Sequence, residues 1–123
     1  MDTKLLRAVG AATAVYGLAV TLRPQLLAKP SGLVDAAGRT APDTATSLRP
    51  LAWRDAACGA AMAVAPAGGP LRAAASLRIA ADFGDAALLA ATLPRGYRWK
   101  AVAVSVAWGA LSVAGLLRHP GAD

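Results

Sequence analysis

Five ionisable side chains stand inside otherwise apolar segments of this chain, and their types and spacing are suited to chemistry. Arg54 and Asp55 are adjacent in one segment, and Arg78, Asp82 and Asp85 lie in the next. The i, i+4, i+7 spacing of the latter three places them on one face of a helix. Such a group can carry out acid–base work. An aspartic acid kept protonated by apolar surroundings can donate a proton, and an arginine-paired aspartate can accept one.

The composition predicts that the segments around these charges lie in a membrane. Hydrophobic residues make up 56% of the 123 residues and charged residues only 16%, whereas soluble domains are about a quarter charged. The net charge of +6 does not indicate nucleic-acid binding, because the lysines and arginines flank apolar segments. A single cysteine and a single histidine argue against a disulfide or a metal site. We expect no cofactor and no metal.

Four apolar stretches predict an all-α integral membrane four-helix bundle, a single domain over residues 1–123. The predicted spans are about 5–22, 50–66, 71–93 and 101–117, each near the length that crosses a bilayer. The proline- and glycine-rich turn at 66–70 predicts that helices two and three form a central antiparallel hairpin. Pro50 suits the first turn of helix two. The polar loop 23–49 is predicted to begin with a short interfacial helix at 25–29, and 94–97 is a second turn.

The flanking charges give an expected orientation. Seven basic residues lie at the end with the 23–49 loop and four at the other end, which favours both termini outside and the loop in the cytoplasm. The first apolar stretch is followed directly by Arg23, without a small-residue cleavage pattern, so we expect a retained span rather than a signal peptide. The expected location is the cell membrane, as a multi-pass protein.

Side chains that lie at the same depth along neighbouring helices predict a pocket around the charged residues. Counted outward from Gly68–Gly69, Asp55 falls level with Asp82. Arg54 can then reach Asp82 or Asp85, and Arg78 can reach towards Asp55. Arg78 can also pair with Asp82 on its own helix. Ser105 reaches a similar depth on helix four. The predicted pocket is lined by Tyr16, Arg54, Asp55, Cys58, Arg78, Asp82, Asp85 and Trp108. The candidate catalytic residues are Asp82 first, then Asp55 and Asp85, and the candidate substrate-binding residues are Arg54, Arg78, Tyr16 and Trp108.

Simpler interpretations of the same residues stay open. The charges can form a buried polar network that only fixes helix register. Tyr16 and Trp108 can be packing aromatics, and Cys58 a small apolar side chain. Small residues on helices one and two favour close helix contact; they are Gly10, Ala14, Gly17, Ala56, Gly59 and Ala63.

The stretch Trp53-Arg54-Asp55-Ala56-Ala57-Cys58-Gly59 resembles a signature of small four-helix membrane families that are broadly similar to DoxX-like proteins. That signature is an Arg-Asp pair early in helix two with a glycine four residues further on. The sequence Ala81-Asp82-Phe83-Gly84-Asp85 fits the same pattern. The resemblance implies the four-span layout, and implies no particular activity.

Three hypotheses about function follow. The first is an intramembrane acid–base site that cyclises, isomerises, or opens or hydrates the epoxide of a lipophilic small molecule. The second is a non-catalytic membrane subunit or assembly partner whose buried charges fix packing. The third is a proton or cation pathway, which would require an oligomer. The expected partners are the lipid bilayer and a lipophilic small molecule, and a homo-oligomer is compatible with the small-residue helix faces.

Overall fold

The structure, a computed structural model, describes residues 1–118. The described chain is helical and contains no strand. Its five helices are α1 (Thr3–Leu22), α2 (Gln25–Ala28), α3 (Pro42–Val64), α4 (Gly69–Thr92) and α5 (Arg95–Leu117). The all-α class is therefore confirmed, and the last five residues of the predicted domain lie outside the described part.

Local chemistry explains the starts of α1, α4 and α5. The Asp2 carboxylate accepts a hydrogen bond from the Leu5 amide at 3.0 Å and caps α1. Gly68, with φ of 102°, supplies a backbone conformation that an L side chain rarely adopts just before α4 begins. Pro94 immediately precedes α5. The predicted short helix after Arg23 is confirmed as α2.

Two predicted helix starts were wrong. Helix α3 begins at Pro42, so Pro50 lies inside it rather than in its first turn. Helix α5 begins at Arg95 rather than near Ala101, which shortens the predicted 94–97 turn. Both Pro42 and Pro50 suit a helix start. The buried Leu48 shows that the helical segment between these prolines packs against the rest of the chain. As a result Arg54 lies about three turns inside α3, deeper than the sequence pattern indicated.

Helices α1 and α3 pack backbone against backbone. A Cβ added at Gly59 would lie 2.5 Å from both the Ala14 nitrogen and the Gly10 oxygen, and one at Gly17 would lie 2.5 Å from the Ala56 nitrogen. Only glycine permits this approach. The predicted close contact through small residues is confirmed for this pair.

The long helices run antiparallel to their neighbours. Gly109 of α5 faces Asp82 and Phe83 of α4, and the Asp2 amide at the start of α1 donates to the Gly115 carbonyl at the end of α5 at 2.6 Å. Helices α3 and α4 are joined by residues 65–68, yet they touch each other less than α3 touches α1 or α4 touches α5. The charged side chains described below bridge this looser seam.

Apolar side chains form most of the core, but one charged side chain is also fully buried and many large apolar side chains are exposed. The largest fully buried side chain in the described part is Arg78, 1% exposed, whereas Val15, Leu88 and Val104 are each more than 60% exposed. Large apolar side chains are exposed on all four long helices. Helices α1 and α5 are long and apolar enough to cross a membrane, and α3 and α4 carry the charges.

Candidate functional site

A cavity of about 610 Å³ lies among the helices, on the side where the α1–α3 connection runs. Residues of α1, α3, α4, α5 and the segment 27–33 contribute to its wall. The apolar part of the wall is mostly leucine and alanine, and the polar part is the charged group. Its main apolar residues are Ala12, Leu27, Leu33, Leu48, Leu51, Leu88, Leu89, Ala101 and Val104.

Arg78 joins the two charged helices at the centre of the site. Its Nη1 donates to Asp55 Oδ1 on α3 at 2.8 Å, and its Nη2 donates to Asp82 Oδ1 on α4 at 2.6 Å. The predicted intrahelical pair with Asp82 and the predicted reach towards Asp55 are therefore both present. One fixed guanidinium fork thus holds two carboxylates at matched depth.

Arg54 forms a second, more exposed bridge. Its Nη2 lies 3.2 Å from Asp85 Oδ2 and 3.3 Å from Asp55 Oδ1. Of the two partners that the sequence allowed for Arg54, the structure shows Asp85 rather than Asp82. Because 43% of the Arg54 side chain is exposed, this pair lies at the outer edge of the α3–α4 seam.

The network leaves hydrogen-bonding capacity in its core. Asp82 is 5% exposed, and its Oδ2 is buried without a hydrogen-bond partner, as is Nε of Arg78. Unpaired buried polar atoms are costly. The carboxylate of Asp82 is thus the most buried of the three, and it has a buried oxygen without a partner.

The opposite wall of the cavity is formed by α1 and α5. Trp108 Nε1 donates to Thr13 Oγ1 at 2.6 Å, and Thr13 Oγ1 donates to the Val9 carbonyl at 2.7 Å. Trp108 therefore has a structural hydrogen bond and also lines the cavity. Tyr16 and Ser105 line the same cavity and present hydroxyl groups.

Seven of the eight predicted pocket residues line this cavity. Cys58 does not line it, because it lies almost one helical turn beyond Asp55, the last α3 residue on the cavity wall; its inclusion was wrong. Lys100, which the sequence pattern indicated only as a flanking charge, also lines the cavity, as do the loop residues Pro30 and Ser31. The i, i+4, i+8 spacing of Lys100, Val104 and Trp108 was the available signal for the first of these.

The arrangement can position and exchange protons in apolar surroundings. It combines three carboxylates paired with arginines, one of which keeps a free oxygen, and hydroxyl groups on the facing wall. Within residues 1–118, no three histidine, cysteine or acidic side chains are placed to hold a metal ion together. In this structure the three aspartates are instead bridged by arginines.

No protein-family model, curated protein or solved structure matches the chain.

Proposed function

We propose that this chain is a multi-pass membrane protein whose α3–α4 hairpin carries an acid–base site for a lipophilic small molecule. In this arrangement α1, α3, α4 and α5 each cross the bilayer. Their 20 to 24 residues correspond to about 30–36 Å of helix, which matches the hydrocarbon thickness of about 30 Å. The resemblance to DoxX-like proteins stays a prediction that agrees with this layout.

The observation that carries the proposal is the joint presence of a large apolar cavity and a buried, incompletely paired carboxylate on its wall. The cavity volume of about 610 Å³ lies within the usual range for small-molecule sites. A charge network that served only packing would not need an adjoining cavity. The free oxygen of Asp82 is the group best placed to exchange a proton.

The roles follow from the contacts. Asp82 is the proposed acid or base, and Asp55 and Asp85 are the proposed secondary carboxylates. Arg78 orients Asp82 and Asp55, and Arg54 orients Asp85. Tyr16, Trp108 and the leucines surround the ligand. The reaction class is protonation of an olefin or epoxide, isomerisation of a double bond, or addition of water.

A second candidate function rests on a different observation. Each of the five charged side chains has an oppositely charged partner within 3.3 Å, so the network can also act solely as a device that fixes helix register. The chain would then be a non-catalytic membrane subunit.

Occupancy of the cavity separates these functions. Ala101 lines the cavity, and Ala103 is exposed and does not line it. We expect wild-type protein and Ala103→Phe, released gently from native membranes, to retain a bound lipophilic molecule in native mass spectrometry. Ala101→Phe should lose it because the new ring fills the cavity. Retention of the same molecule by Ala101→Phe would contradict a site in this cavity.

A further inference from the structure

One cation on the cavity wall has no acidic partner in the described part of the chain. Lys100 is exposed and lines the cavity near the start of α5. The ion pairs within residues 1–118 involve Arg54, Arg78 and Arg118. Within residues 1–118, therefore, no carboxylate oxygen lies within 4.0 Å of the ammonium nitrogen of Lys100.

Lys100 brings the summed charge of the cavity wall to zero, although it forms no ion pair with the aspartates there. The three aspartates and two arginines of the network sum to −1, and Lys100 brings the cavity wall to zero. The aspartates, however, are already held by Arg54 and Arg78. Among the described lining residues, the ammonium group of Lys100 is therefore the charge left for a ligand, and it favours an anion.

The cavity wall extends from Lys100 to the acid–base group. One stripe of α5 lines the cavity and consists of Lys100, Ala101, Val104, Ser105 and Trp108. Gly109 ends this stripe beside Asp82, since a Cβ on Gly109 would lie 3.2 Å from Asp82 Cβ. The nine residue steps from Lys100 to Gly109 span about 14 Å of helix. A ligand whose head lies at Lys100 can thus reach Asp82 with its chain.

We propose that the ligand is an amphiphile with a carboxylate head, bound by Lys100 at the rim, and an apolar chain that extends along the leucines to Asp82. This inference rests on the proposed function and names its substrate class. A carboxylate is favoured over a phosphate monoester, because Lys100 supplies a single positive charge and a monoester carries about −1.5 to −2 at neutral pH. Hydroxyl groups of Tyr16, Ser31 and Ser105 on the same cavity wall can donate further hydrogen bonds.

Photolabelling with a fatty acid and its alcohol tests the head group. The probes are palmitate with a mid-chain diazirine and the matching alcohol, applied to protein in phosphatidylcholine nanodiscs. We expect the acid to label cavity-lining peptides more strongly than the alcohol does. Lys100→Gln should lower labelling by the acid roughly tenfold, because a charge-assisted contact is lost, and should leave labelling by the alcohol unchanged.

Matched variants assign the effect to the cavity. Arg95→Gln removes the same charge from the same end of α5 at a position off the cavity wall and should have no effect, and Lys100→Arg should retain labelling by the acid. Equal labelling by acid and alcohol, or unchanged labelling by the acid in Lys100→Gln, would overturn the carboxylate head group. If Ala101→Phe nevertheless blocks both probes, the lipophilic site stands. If it blocks neither, the proposed function fails as well.

Discussion

Arg54 is the residue whose role differs most between the two candidate functions. It is half-exposed and bridges Asp85 and Asp55 across the α3–α4 seam. If Arg54 is purely structural, it only has to face a residue of opposite charge, and the two charges can be exchanged between the helices. As part of an acid–base site, its positive charge must lie on α3, where it holds Asp55 and Asp85 in fixed positions.

A charge reversal distinguishes these roles at the residue scale. We expect Arg54→Asp to weaken the fold, because three neighbouring carboxylates would then face one another. The double variant Arg54→Asp/Asp85→Arg should recover most of that loss in a detergent unfolding titration, while turnover of the native ligand stays at least about a hundredfold reduced. Wild-type turnover in the double variant would show that the pair is structural.

The residues of the site were more predictable than their partners. Helical spacing and equal counting from the 66–70 turn were enough to bring Arg78, Asp82 and Asp55 together, because these rules follow from regular helix geometry. The choice of Asp85 over Asp82 for Arg54 depends on side-chain packing. Lys100 was missed because a lysine at a helix end is ordinarily a flanking charge.

At the scale of elements, the α1–α3 interface is the tightest contact between helices of the described chain. Gly59 faces the α1 backbone, whereas a methyl group added at Gly84 on α4 would have nothing within 4 Å. The two glycines are thus a matched pair, each in the interior of a long helix.

Alanine substitutions at these two positions should have opposite effects. Gly59→Ala would force its Cβ into the backbone of α1 and should destabilise the fold by about 1–3 kcal/mol. Gly84→Ala should be neutral or stabilise by up to about 1 kcal/mol, because alanine favours the helix. Reversible unfolding in mixed detergent micelles measures both. Equal stability of the two variants would contradict the close packing of α1 on α3.

Element boundaries were predicted less well than element identity. The apolar runs of α1 and α4 located those helices, because burial and helix length follow directly from composition. The start of α3 was placed at Pro50 since the polar residues 43–49 resemble a loop and its cap. Tertiary packing of Leu48 overrides that local pattern and continues the helix back to Pro42.

At the scale of the whole molecule, the proposed bilayer placement puts opposite ends of the bundle on opposite sides. The 65–68 connection and both ends of the described chain lie at one end, as the hydrogen bonds from Arg7 to the Ala63 and Ala65 carbonyls and from Asp2 to Gly115 show. The 23–41 connection lies at the other end, where Gly32 contacts Tyr97.

Cysteine labelling tests this placement. In a Cys58→Ala background, Ala67→Cys and Ala36→Cys each introduce one exposed thiol, at opposite ends of the bundle. We expect a membrane-impermeant maleimide to label Ala67→Cys in intact cells and to label Ala36→Cys only after permeabilisation, in agreement with the distribution of basic residues. Labelling of both in intact cells would contradict the four-span arrangement.

The proposed function depends above all on the carboxylate of Asp82, which exchanges protons with a lipophilic molecule in the cavity. Its most direct test is incorporation of solvent isotope, with protein in nanodiscs incubated in D₂O and H₂¹⁸O with a lipid extract of its native membranes. Acid–base chemistry at carbon or addition of water leaves deuterium or ¹⁸O in the product. We predict a lipophilic compound that gains label with wild-type protein and with the loop control Asp35→Asn, and at least about a hundredfold more slowly with Asp82→Asn. Equal labelling with Asp82→Asn, or wild-type protein that neither labels nor converts any compound of the extract, would contradict the account.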